Sequence, residues 1–557
     1  MTQSVHDLLE QHFDAAFAAP DGIAKLRELI LTLAMQGKLV EQDPNDPPAS
    51  EFLKEIEAEK QRLIAEKKVK KQKPLPPIKP EEVPYQLPQG WAWVRLDELG
   101  VSQTGTTPPS KNPENYGDHI PFIGPGSIKN GNIDYSGQGL SLDGLSKGRL
   151  IEKDSVLMVC IGGSIGKHAI NQMDVTCNQQ INTLTPFKPL SVKYTYFTMA
   201  ADYFQRTVLN KAGGSATPII NKQKWSSIPI PLPPITEQHR IVARIDQLMK
   251  RCDELEKLRK DREEKRLQVH AAAINQLLDS PENIGWPFIQ QHFGELYTVK
   301  ENVAELRKAI LQLAVMGRLV PQDPNDPPAR ELLKEIEAEK QRLIADKKIR
   351  NQKPLPPIKP EEIKHELPSG WEWVRLGDIG NWKSGSTPSR STPSYYGGDI
   401  PWVKSGEVKQ GRIRETEETI TQVALEKCSL GLNPVGSVLV AMYGANIGEV
   451  GILEIEAATN QAVCACQTYA HFDENYLLYL ITSMKPYFLS QGAGAAQPNI
   501  SREKIIATVF PLPPLSEQRR IVARIDQLMA LCDKLDSQID AATNKQDALL
   551  NAVMARV

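Results

Sequence analysis

The sequence predicts an α+β protein of two similar β-rich domains, separated by long helices of coiled-coil type and each preceded by a helical arm. An internal duplication comes first. Residues 23–40, IAKLRELILTLAMQGKLV, return at 303–320 as VAELRKAILQLAVMGRLV, a spacing of 303 − 23 = 280. The same spacing joins QDPNDPPA at Gln42 to Gln322, KEIEAEKQRLIA at Lys54 to Lys334 and QKPLPPIKPEE at Gln72 to Gln352. It also joins PLPPITEQHRIVARIDQLM from Pro231 to PLPPLSEQRRIVARIDQLM from Pro511, and Gln11-His12-Phe13 to Gln291-His292-Phe293. So long a period excludes a solenoid and marks the tandem duplication of a whole domain set. The second observation is the run of short β-type segments between Gly, Pro, Ser and Asn punctuators, as at Ser155–Val159 and Ser437–Ala441. The third is an apolar seam stepping by four and three behind each Pro-Pro pair.

Each copy has the same internal order. An amphipathic helix over Ile23–Gln36 is closed by Gly37 and followed by an Asp- and Pro-rich turn. A second helix runs from an N-cap at Ser50 to about Lys71, with Leu53, Ile56, Leu63 and Ile64 on one side. KPLPPIKP cannot continue it and is extended linker. The pairs Trp91/Trp93 and Trp371/Trp373 anchor the start of each β-rich domain. Behind Pro233-Pro234 a long helix starts, capped by Thr236 in one copy and Ser516 in the other. Its seam is Ile241, Ile245, Leu248, Cys252 and Leu255, faltering at Arg259 and Arg262; in the second copy it is Ile521, Ile525, Leu528, Cys532, Leu535 and Ile539, with Leu549 and Val553 beyond. The charged stretch Leu255–Gln268 reads as a solvated helix face. The resulting division is arm and linker over 1–82, first β-rich domain over 83–235 and central helix over 236–280. A second arm and linker over 281–362, a second domain over 363–515 and a C-terminal helix over 516–557 complete it.

Composition narrows the function. With 557 residues and a net charge of −2, the chain has no global footprint of a non-specific nucleic-acid binder, so any DNA-binding surface is local. No apolar stretch reaches the roughly 20 residues of a membrane span, and MTQSVHDLLEQHF is no secretory signal, so the cytoplasm is expected. The seven cysteines show no zinc spacing and are expected to be free thiols, with no metal bound. Asn45-Asp46-Pro47-Pro48 resembles an amino-methyltransferase motif, but Ala49 stands where an aromatic would stack on a flipped base; it reads as a turn. Gly162-Gly163-Ser164-Ile165-Gly166-Lys167 resembles a phosphate loop without its spacing, and Glu449 replaces the lysine in the second copy; it reads as a turn between strands. No catalytic residues are assigned.

The β-rich domains carry a further set of paired motifs. Trp91-Ala92-Trp93-Val94-Arg95-Leu96, Gly105-Thr106-Thr107-Pro108, Tyr116-Gly117, Ile120-Pro121-Phe122, Cys177-Asn178-Gln179 and PLPPITEQ stand in the first copy. Trp371-Glu372-Trp373-Val374-Arg375-Leu376, Gly385-Ser386-Thr387-Pro388, Tyr396-Gly397, Ile400-Pro401-Trp402, Thr459-Asn460-Gln461 and PLPPLSEQ match them in the second. The set resembles the DNA specificity subunit of type I restriction–modification enzymes, in its long-armed subgroup. The resemblance implies that each domain is a target-recognition domain reading one half of a bipartite, asymmetric site on double-stranded DNA. It implies that the two long helices pack as an antiparallel coiled coil and set the unread spacer. Two methyltransferase subunits would bring S-adenosylmethionine and adenine-N6 methylation, and motor–nuclease subunits ATP, Mg2+ and cleavage. The chain itself would be non-catalytic and hold no cofactor. A solitary methylation system, or a coiled-coil adaptor without DNA, is the alternative.

Base readers should lie where the two copies diverge on a shared frame. In the first domain these are Lys111, Asn112, Lys129, Asn130, Lys147, Arg149, Ser215, Thr217, Asn221 and Lys222. In the second they are Arg390, Lys404, Lys409, Arg412, Arg414, Gln497, Asn499 and Arg502. Arg and Lys suit guanine acceptors and phosphates, and Asn and Gln suit adenine edges.

Overall fold

A computed structural model describes residues 17–71, 75–214, 217–279, 285–363, 365–469, 472–492 and 498–555. The chain divides into two units, one of residues 1–262 with 542–557 and one of residues 263–541. Both boundaries fall inside long helices, Ile235–Asp279 and Leu515–Met554, so each helix contributes to both units. The first spans 45 residues, roughly 67 Å at the usual rise. Among the described residues, no helix is long and apolar enough to cross a membrane.

In the first unit the arm helix Gly22–Met35 ends at Gln36, and Gly37 follows at φ +69°, the left-handed position that closes a helix. The next helix, Ala49–Ala65, starts one residue before the expected Ser50 cap. Pro48 precedes it, and the Ala49 amide donates to the Gly90 carbonyl at 2.8 Å, so a neighbouring segment rather than a side chain satisfies that end. It also stops short of Lys71: Lys67 at φ +58° turns the chain away, and Lys68 donates back to the Leu63 carbonyl.

The β-rich domain is closed by pairing of its first and last strands, Ala92–Arg95 with Pro229–Leu232. Its main sheet runs in the order Gly100–Thr104, Ile181–Pro186, Val156–Val159, His168–Ile170, all antiparallel. Val156–Val159 is apolar throughout because both of its faces are covered. Val156 and Met158 face a core with Met199, Phe204, Val208 and Trp225 from the following helices and Phe52 and Ile56 from the arm. Leu157 and Val159 face Ile123, Ile128, Ile151 and Cys177.

The second unit repeats this plan. Its sheet runs Gly380–Ser384, Val463–Thr468, Val438–Ala441, Val450–Leu453, with Arg412–Ile413 added in parallel at the edge. Val438 and Val440 face the main core while Leu439 and Ala441 face a smaller one. The α+β class, the two copies and the long helix between them are as the sequence predicts.

The long-helix seams need a correction. Ile241, Ile245 and Cys252 are buried, with Leu248 half-buried, against Ile30, Leu31, Ala34 and Met35 of the arm helix and against Trp91 and Tyr194. They serve their own unit's arm and domain. Leu255, expected on the same seam, is 47% exposed, while the arm's Arg27 bonds to Asp253 and Glu256 on either side of it. Ile521, Ile525 and Cys532, with Leu528, Leu535 and Ile539 at its edge, belong likewise to the core of the second unit, with arm residues Ile310, Leu311 and Ala314. Within the first unit, Leu550 and Val553 pack on Phe17, Ala19 and Leu29. Each arm supplies an apolar partner that heptad spacing alone does not reveal.

Candidate nucleic-acid interface

Each domain is held in place by a buried polar frame, and the frame is duplicated. Arg95, 3% exposed, donates through Nε to the Pro76 carbonyl (2.9 Å), through Nη2 to the Pro77 carbonyl (3.2 Å) and through both Nη atoms to Glu82 (3.0 and 3.0 Å). Arg375 treats Pro356, Pro357 and Glu362 the same way, at 2.8, 3.1, 3.0 and 2.9 Å. A polyproline segment leaves its carbonyls without intrachain partners, and the arginine fork takes them up. Arg95 holds the Glu82 carboxyl down at about 2. At the other end, the Trp91 indole and Gln42 amide donate to Glu237 at 2.9 and 2.5 Å, and Trp371 and Gln322 donate to Glu517 at 2.9 and 2.7 Å. Burial pushes both carboxyls above the usual range despite those donors.

Asp46 accepts from Arg240 (2.6 Å) and Thr236 (2.5 Å), and Asp326 from Arg520 (2.6 Å) and Ser516 (2.6 Å). The NDPPA segment is therefore the turn expected of it, tying the arm to the long helix. Thr236 and Ser516 are not caps, since their hydroxyls donate to these aspartates and the helices begin at Ile235 and Leu515. Gly162–Gly166 is likewise a turn between the strands Val156–Val159 and His168–Ile170. Gly105 and Gly385 lie where a Cβ would sit 2.2 and 2.1 Å from the carbonyls of Asn178 and Thr459, so no side chain fits between those motifs.

On the first domain, Lys111 and Asn112 are exposed ahead of the 3-10 segment Pro113–Asn115. Lys129 is 3.4 Å from Asp134, and Asn130 follows it in a turn at φ +50°. Lys147 donates to Asn115 Oδ1 at 2.7 Å and Arg149 to the Thr104 carbonyl at 2.7 Å, neutral acceptors that leave their charge uncancelled. Thr217 is exposed. Asn221 caps the helix Lys222–Ser226, and Lys222 reaches the Ser102 carbonyl at 3.4 Å and hydroxyl at 3.3 Å, so both also serve the fold. Ser215 lies outside the described residues.

The second domain is wired differently. Arg390 forms a two-point pair with Glu418 at 2.6 and 3.1 Å, and Lys404 reaches Glu417 at 2.7 Å and Glu418 at 3.1 Å. Arg390 and Lys404 together bring the Glu418 carboxyl down to about 2. Arg414 and Arg412 share Glu454 at 2.5 and 3.9 Å, and Arg412 also meets Asn475. Lys409 and Asn499 are exposed, while Arg502 is half-buried beside Glu503 at 3.0 Å. Gln497 lies outside the described residues.

Residues 88–264 and 368–544 each match the type I restriction modification DNA specificity domain. The chain belongs to the type I specificity subunits. The specificity subunit of the EcoAI enzyme of Escherichia coli is 33% identical over 96% of this chain and 94% of its own length. The EcoEI specificity subunit of Escherichia coli is 32% identical over the same shares, 96% and 94%. A crystal structure of the HsdS subunit from Thermoanaerobacter tengcongensis covers 85% of this chain and 98% of its own, at 20% identity and a TM-score of 0.44.

As a specificity subunit, the protein is a non-catalytic component of a type I restriction–modification system and carries two DNA recognition domains. Sequence divergence pointed to its basic residues and missed the acidic ones that pair with them, Glu417, Glu418 and Glu454. It also missed Tyr396 and Trp402 as supports for Arg390. The signal was present: Gly137 and Gln138 stand 280 residues before Glu417 and Glu418, so these positions diverge too.

Proposed function

We propose that each recognition domain reads one half of a bipartite, asymmetric DNA target. The long helices set the spacer between the halves, and the arms and helices together dock the partner subunits. Those partners are two methyltransferase subunits, which bind S-adenosylmethionine and methylate adenine N6, and motor–nuclease subunits, which bind ATP and Mg2+. The candidate readers are those named above, with Lys147, Arg149, Arg390 and Arg412 among them.

One observation carries this reading. The buried frame repeats nearly bond for bond in the two copies, while the exposed charged groups on it differ in kind and pairing. Two domains built to stand alike yet touch different base pairs need that combination, because contacts to base edges specify sequence while the frame only positions them. Exchanging residues 90–230 for those of a relative with another target tests it. Methylome sequencing of a host carrying the complete system should then show one half-site replaced and the other unchanged. Alteration of both halves together would overturn the reading.

A further inference from the structure

Arg390 lies in the turn before the 3-10 segment Pro393–Tyr395. Its guanidinium carbon sits 4.5 Å from the ring centroid of Tyr396 and 5.6 Å from that of Trp402. Nη1 and Nη2 donate to the two carboxylate oxygens of Glu418 at 2.6 and 3.1 Å. The end of the fork is thus occupied and the guanidinium carbon is held over two rings, which removes most of the rotamer freedom of a long side chain. The remaining edge, Nε–H with the outer Nη2–H, makes no hydrogen bond among the described residues, and the side chain is 59% exposed. Two parallel donors on a fixed plane match O6 and N7 of guanine in the major groove.

The surrounding charge separates this use from a phosphate grip. Arg390 and Lys404 are balanced by Glu417 and Glu418, all within one chain of contacts of 2.6 to 3.1 Å. A phosphate contact draws on excess positive charge and counterion release, and a cluster of no net charge offers little of either. It does offer orientation.

The first domain supplies the comparison. Tyr116 donates to the Pro108 carbonyl at 2.9 Å and pairs with Leu140, as Tyr396 donates to Pro388 at 2.6 Å and pairs with Ile420. On that shared frame, Ser110, Gly124 and Gln138 stand 280 residues before Arg390, Lys404 and Glu418. The arginine, its carboxylate and the second cation are present together or absent together, as expected of one reading device.

We propose that Arg390 reads a guanine in the half-site of the second recognition domain, with Glu418 as its positioning residue. The proposal rests on the two-domain reading and assigns a base to one of its sites. The test is methylome sequencing of hosts carrying the complete system with Arg390→Ala, Arg390→Lys or Glu418→Gln, together with the salt dependence of binding to duplexes bearing the mapped site. The wild type should show a G·C pair at one position of the second half-site. Arg390→Ala and Arg390→Lys should each lower preference for that pair by roughly tenfold or more, because lysine keeps the charge and loses the fork. Glu418→Gln should lower it less, at the same position. The first half-site stays unchanged in all three, which also reports that the protein is folded. Full selectivity in Arg390→Lys, no G·C pair in the second half-site, or uniform weakening with a salt slope smaller by about one would overturn the assignment and leave the two-domain reading standing. A wild type that methylates no two-part site would instead overturn the two-domain reading itself.

Discussion

Arg95 and Arg375 hold matching positions in the two copies and make the same contacts to a linker, a glutamate and the helix end just ahead of the closing strand. Arg390 and its counterpart Ser110 share only a backbone position. Burial explains the contrast. A buried guanidinium is tolerated only when nearly every donor is met, so changing any partner leaves another stranded. Arg390 is more than half exposed, and water can replace whatever partner is lost. The frame is consequently rigid to substitution, and the outer surface can exchange a set of residues at little cost in stability. That is what a reader of changeable sequences requires.

The largest way to break the contrast is at the frame. Arg95→Ala should destabilise the first unit by about 3 kcal/mol, because Glu82 loses its counter-charge and two proline carbonyls lose their donor. Arg390→Ala should cost less, about 1 kcal/mol, because it loses only an exposed ion pair and a contact over two rings. Denaturant unfolding of both variants measures the difference, and equal losses would erase the distinction between frame and surface.

A smaller effect is read from pH. Glu82 falls from its ordinary 4.5 to about 2 because of the Arg95 hydrogen bonds, so its stabilising contribution is complete above 4.5 and is lost as the pH drops toward 2. Glu237 works in the opposite sense: burial raises it, so its contribution is complete below the ordinary value and is lost as the pH rises through the raised one. Stability of Glu82→Gln should therefore fall less steeply between pH 4.5 and pH 2 than that of the wild type in the same unfolding measurement. An unchanged acid limb would mean that Arg95 does not hold this carboxylate.

The smallest lies on the arm. Lys25–Glu28 at 2.7 Å is rebuilt with reversed sign as Lys308–Glu305 at 2.6 Å, a paired exchange of neighbours that are half-buried in the first arm and exposed in the second. Glu28→Lys should cost a few tenths of a kcal/mol through like-charge repulsion, and adding Lys25→Glu should restore it. Thermal unfolding at low salt resolves the pair.

Much of the fold was legible because its signals are local. The arm helix ending at Gly37, the apolar Val156–Val159 strand and the two turns that resemble catalytic loops follow from patterns within a few residues, and the duplication from one fixed period along the chain. The site was legible only in outline. Divergence marked Arg390 and Lys404, yet Glu418 lies 28 residues beyond Arg390 and meets it only because paired strands bring them together.

By itself, the amino-acid order determined the class of the protein, its two copies and the kind of element each segment forms, since periodicity and turn chemistry act along the chain. The folded chain alone decided the partners. Trp91 meets Glu237 across 146 residues and Asp46 meets Arg240 across 194, and the long-helix seams pack on the arms of their own units. Thr236 and Ser516 look like caps, but each gives its hydroxyl to an aspartate 190 residues away. A polar group commits to the acceptor that burial places beside it, and that choice is made in three dimensions.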